Sequence, residues 1–261
     1  MDIFAYEFMR NAFAASTIVA VVAGAIGYFL VLRGETFAGH ALSHVGFAGA
    51  TGAVLLGLSP FVGLTAFTLL AGLGISVVGQ RANRDVAIGI VLTLSLGLGL
   101  LFLHFYTAYA GMATSLLFGN VLGIGQQTVW LLLGMAAVTL AGLALISRPL
   151  LFASLQPELA EARGVPLRRL SALFMLIVAL ATAQAIQIVG VLLVFALMVA
   201  PAAAALRLTR RFLSGFLLAI GLAVGIAWLS LLLAYVTDWP TSFWITGLGG
   251  LAYALSHLRR L

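Results

Sequence analysis

The chain has 261 residues, of which 63% are hydrophobic and only 8% charged, with a mean hydropathy of +1.20. Soluble domains carry roughly a quarter charged residues, so this composition excludes a soluble globular protein and points to a polytopic membrane protein. The net charge of +6 is supplied by arginine without any lysine, which excludes a Walker-type phosphate loop, and the lack of cysteine excludes disulfides and thiolate metal sites.

Residues 1–11 carry two acids and one arginine ahead of the first apolar run, an order that does not suit a cleaved signal peptide. Runs able to cross the hydrocarbon core, about 20 residues each, are predicted near 11–32, 40–58, 61–79, 86–106, 126–146, 170–188, 190–206, 213–236 and 242–257. That makes nine segments, or eight if the short junction after the second or the sixth run hides a merged or re-entrant piece. Either count describes an all-α, polytopic integral membrane protein with about 8–9 transmembrane helices, and residues 1–261 read as one transmembrane domain.

Charge sets the orientation. With nine spans, Arg33, Arg81, Arg84, the arginines from 148 to 169, Arg207, Arg210, Arg211, Arg259 and Arg260 share one side, and only Arg10 lies opposite. The positive-inside rule makes that side cytoplasmic and the amino terminus external; eight spans would move the terminus. The arginines are thus read as topology, and nucleic acid is not expected as a partner. Trp239, Trp244, Tyr106 and Tyr109 read as interfacial aromatics. The small residues from Gly46 to Gly52 read as a surface for close helix packing.

Between the fifth and sixth runs, residues 154–166 carry helix-start and helix-stop chemistry. Pro157 opens the segment, Glu158 and Glu161 follow, and Arg163, Gly164 and Pro166 close it. A short helix outside the bilayer is predicted. It serves either as a connector or as a surface on which a cytoplasmic motor acts.

His40 and His44 are two of only four histidines, and their i, i+4 spacing projects both imidazoles from one helix face. Ser43 borders that face, and Phe47, Ala48 and Thr51 continue it. Ionisable residues inside a membrane mostly face a cavity or pathway, so the pair is the candidate metal site. Imidazole suits zinc, copper, iron or nickel better than magnesium or calcium. Two ligands from one chain permit capture and release, where a full tetrahedral set would trap zinc.

His104 and His257 read as interfacial residues. Gln184 and Gln187 share a face suited to interhelical hydrogen bonding or to lining a pathway. Pro201 should kink its run or mark a break, and Asp85 reads as a local ion pair or cap. No HExxH or other catalytic constellation is present, so the chain is not expected to be an enzyme.

Taken together, these stretches resemble the membrane permeases of ATP-binding-cassette importers for zinc, manganese and iron, of the high-affinity zinc-uptake type. The likeness is carried by residues 29–33 leading into Gly39-His40-Ala41-Leu42-Ser43-His44, by 85–90, by 117–122, by 156–166, and by 189–202. The resemblance implies a cytoplasmic ATP-binding-cassette ATPase dimer that performs the hydrolysis and an extracytoplasmic metal-binding protein. It also implies a second permease copy as homodimer or pseudo-dimer, and residence in the cytoplasmic (inner) membrane among its lipids. No tightly bound cofactor is implied; the divalent metal is cargo.

In that family the motif usually reads Gly-Asp-Ala-Leu-Ser-His, so the aspartate is His40 here. This neutral, softer ligand tilts the expectation toward zinc, with manganese or iron behind it. Asn120 stands where an aspartate is common. Residues 157–164 match the coupling helix, which assigns ATPase docking to Pro157, Glu158, Glu161, Arg163 and Gly164. The alternatives are a permease for a larger metal chelate, such as a siderophore or cobalamin, and a haem-binding membrane subunit. The haem reading suits a one-helix pair poorly, since bis-histidine haem is held from two sides.

Overall fold

The computed structural model describes residues 5–78, 84–105, 117–191 and 193–258. Among the described residues there are ten α-helices and a 3-10 turn at Val121–Gly123, and no strand. The helices are α1 (Glu7–Leu32), α2 (Thr36–Leu55), α3 (Pro60–Val78), α4 (Arg84–His104) and α5 (Gln126–Leu155), then α6 (Pro157–Ala162), α7 (Leu167–Val189), α8 (Val194–Leu208), α9 (Phe212–Thr237) and α10 (Thr241–Leu258). Tyr106, Tyr109, Arg81, Arg259 and Arg260 lie outside the described residues.

Each predicted run coincides with a helix, and α6 is the predicted short one. The expected 8–9 crossings are reached only in part: α1, α3, α4, α5, α7 and α9 are long and apolar enough to span a membrane. The shortfall has a simple cause. In α2 and α10, glycine and polar side chains dilute the hydropathy, and α8 is only 15 residues long. Pro201 does not break its run, since α8 continues through it.

The helix ends are closed by local chemistry. At the end of α1, the Gly34 N–H donates to Val31 O at 3.1 Å and the Glu35 N–H to Leu30 O at 2.9 Å. This pair of bonds is the Schellman closure, for which Gly34 takes a φ of +67°. The chain reverses so tightly that α2 begins at Thr36, ahead of the predicted start at 40, and His40 falls in its second turn.

Two helices form the centre. In α1 and α7, 72% of the most apolar window is buried, against 22–33% in α3, α4, α5 and α9. Helix α1 packs on α5, α7, α8 and α9, and α2 is enclosed by α3, α4 and α7. Phe29, Phe174, Leu30 and Ile26 are among the fully buried side chains of this centre. At the α1–α9 seam, Trp228 Nε1 donates to Thr17 Oγ1 at 2.8 Å while its ring meets Phe13 edge-on at 5.9 Å. Trp228→Phe keeps the packing and removes the bond. It should cost about 0.6 kcal/mol, the average for hydrogen bonds between membrane helices, read as a small fall in the melting temperature of detergent-solubilised protein.

Candidate metal site and docking helix

Helix α2 positions both histidines. They stand one turn apart and half-buried, with ring centroids 4.8 Å apart and planes at 83°. The His40 ring also meets Phe195, in the first turn of α8, at 5.2 Å. Ser43 Oγ donates to the His40 carbonyl at 2.7 Å, so this hydroxyl is turned back onto the helix and away from ligand duty. His40 Nδ1 is buried and has no hydrogen-bond partner among the described residues. An unpaired buried nitrogen is costly unless something fills its lone pair or takes its proton.

Two imidazoles one turn apart on one helix face are within reach of a shared ligand. Among the described residues no group of three His, Cys, Asp or Glu side chains could hold a metal. The pair is therefore a candidate two-ligand site.

The remaining polar residues fall into structural places. Gln184 is fully buried, and its Nε2 donates to Thr139 Oγ1 of α5 at 2.8 Å, which joins α7 to α5. Asn120 Oδ1 accepts from the Gly123 N–H at 3.1 Å and so caps the 3-10 turn. It borders a cleft of about 190 Å³ with Pro240, Thr241 and Ser242, and neither histidine lines that cleft. His104 and His257 occupy the last turns of α4 and α10 and are exposed. Trp239 and Trp244 stack at 5.6 Å beside the α9–α10 turn. Asp85 sits in the first turn of α4, where the helix dipole favours an acid.

Helix α6 forms as the sequence predicts. Pro157 holds its first turn with Glu158 beside it, and Gly164 and Val165 close it onto Glu161 and Ala160 at 2.9 and 3.0 Å. Only Ala160 of the helix is buried. Pro157, Glu158, Glu161, Arg163 and Gly164 are all exposed.

One polar cluster was not read from the sequence. Arg33 pairs with Glu35 at 3.0 Å, with the two side chains only 11% and 4% exposed. Arg33 Nη2 also donates to Ser171 Oγ of α7 at 2.9 Å, Nη1 reaches Ser154 Oγ of α5 at 3.5 Å, and the guanidinium lies 5.4 Å from the Phe174 ring. The available signal was an acid two residues after an arginine in a loop too short to solvate both.

The chain is similar in sequence to curated relatives and in fold to a solved structure. The manganese transport system membrane protein MntC of Halalkalibacterium halodurans is 35% identical over 215 residues, covering 80% of this chain and 73% of the relative. The manganese import system permease protein ScaB of Streptococcus parasanguinis is 33% identical over 235 residues, covering 88% and 82%. Among solved structures, PsaBC from Streptococcus pneumoniae in complex with Fab superimposes with a TM-score of 0.86 at 28% identity, over 96% of this chain and 91% of that one. Apolar helices and these relatives together make the protein an integral protein of the cytoplasmic membrane. Since residues 5–259 match the ABC 3 transport family from α1 to the end of α10, the chain belongs to that family.

Proposed function

We propose that the chain is the membrane subunit of an ATP-driven importer of divalent transition-metal ions, with manganese as the first cargo to test. The observation that carries the reading is the histidine pair on enclosed α2, with rings 4.8 Å apart and one buried nitrogen unpaired. His40 and His44 are the cargo ligands on this side of the pathway, and water or other donors complete the shell.

The zinc preference drawn from His40 finds no support among the relatives, two of which are named for manganese. The physical reason is that affinity does not identify cargo. Nearly any nitrogen and oxygen site binds zinc more tightly than manganese, so selectivity comes from geometry and metal availability.

In this reading a single membrane domain crosses the bilayer nine times, through α1–α5 and α7–α10, with the amino terminus outside. Because α2 is enclosed by α3, α4 and α7, it needs no lipid-facing hydropathy. A cytoplasmic ATPase dimer hydrolyses ATP and seats on α6 through Pro157, Glu158, Glu161, Arg163 and Gly164. An extracytoplasmic metal-binding protein delivers the ion, and a second copy of the permease completes the pore.

The test is uptake into vesicles containing the permease, its ATPase and its binding protein. ATP-dependent accumulation of labelled manganese is expected, with excess zinc competing. Uptake of a metal chelate but of no free first-row dication would replace this reading by the chelate permease.

A further inference from the structure

The Arg33–Glu35 pair occupies a mechanical junction. Arg33 is the last residue of the α1 cap and Glu35 the residue immediately before α2, five positions from His40. The same guanidinium reaches Ser154, in the last turn of α5, and Ser171, early in α7. Helix α6 hangs between those two serines, with residues 155–156 on one side and residues 163–170 on the other. Since only Ala160 of α6 is buried and its packing is on α5 and α7, a load applied to α6 leaves through its two ends. Both ends converge on Arg33.

The chemistry favours a rigid joint over a loose one. Arginine offers five donors in a planar fork, and here the fork spans a carboxylate and two hydroxyls while its face lies over Phe174. With both charges withdrawn from water, opening any one contact leaves a charge short of partners. Arg33 and its neighbours therefore move together or not at all.

We propose that Arg33, held by Glu35, is the positioning residue that transmits displacement of α6 to α2 and so couples the ATPase to the histidine pair. This rests on the reading of α6 as the docking helix. Arg33 touches no cargo; it acts through the α1–α2 turn.

The absence of cysteine from the chain makes single-cysteine reporters unique within it. Ala162→Cys reports on exposed α6, and Phe37→Cys reports on the first turn of α2, where that side chain is 39% exposed. In the assembled complex, trapping the ATPase with ATP and vanadate should change the thiol-labelling rate at both positions when Arg33 is intact. In Arg33→Met the change should persist at 162 and vanish at 37, and manganese taken up per ATP hydrolysed should fall about tenfold, within the usual range of coupling between sites.

Arg33→Lys, which keeps the charge but not the fork, should recover only part of the loss. Ser154→Ala with Ser171→Ala removes two hydroxyls and leaves the ion pair in place. It should reduce the coupling ratio about threefold and supplies both readouts if Arg33→Met fails to assemble. Labelling at 37 that responds equally in the variants, or an unchanged coupling ratio, overturns the proposal. A parent complex in which position 162 does not respond overturns instead the docking reading of α6.

Discussion

Replacing His40 and His44 together by alanine is expected to abolish ATP-dependent manganese uptake while the permease still folds and assembles. Loss of groups that merely support metal ligands typically costs 10–100-fold, so loss of both ligands should cost about a hundredfold or more. The fold should survive because both side chains are only half-buried, and buried His40 Nδ1 has no hydrogen-bond partner among the described residues to lose. Melting temperature and ATPase co-purification are the controls, and a double variant that transports like the parent would remove the pair from the pathway. His40→Asp gives a second, directional result. A hard anionic oxygen in place of imidazole should shift competition toward manganese and away from zinc, measured as a higher zinc concentration for half-inhibition of uptake.

The second large effect is structural. At the junction of α7 and α8, Gly190 takes φ +80° and ψ 162°, a region of backbone space essentially confined to glycine. A Cβ on Gly190 would run into the backbone of Leu117, Phe118 and Gly119, and one on Gly119 would meet Ile188, Val189 and Gly190 in return. The two chain segments lie backbone against backbone, with no side-chain end free to yield. Gly190→Ala should therefore cost about 3 kcal/mol or more from strain and overlap combined, seen as loss of folded protein or a large fall in melting temperature. Gly221→Ala is the control. That glycine lies in α9 with open space where the Cβ would go, and its effect should stay within about 1 kcal/mol of neutral or be stabilising.

Particular residues mark where sequence reasoning succeeds. The boundaries of α6 were legible because Pro157 and Gly164 act within one turn of themselves, and the matching closure is present at 2.9 and 3.0 Å. The facing of His40 and His44 followed from helical periodicity alone, and their rings do meet. Asn120 was compared with an aspartate, whereas in the structure its oxygen caps the Val121–Gly123 turn. A short local bond of that kind has no periodic signature. The tilt to zinc overreached because it treated ligand softness as cargo choice, which the Irving–Williams order does not permit.

The sequence by itself determined the class of the protein, the place of every long helix, the short helix α6 and the spacing of the histidines. These depend on hydropathy, caps and a 3.6-residue repeat, all of which act over a few neighbours. Only the tertiary structure decided that weakly apolar α2 is enclosed by α3, α4 and α7, that Arg33 gathers Glu35, Ser154 and Ser171, and that Gly119 and Gly190 touch. Those contacts join segments as far as 138 residues apart, and their energy arises from burial and desolvation between helices, which no local pattern in the chain encodes.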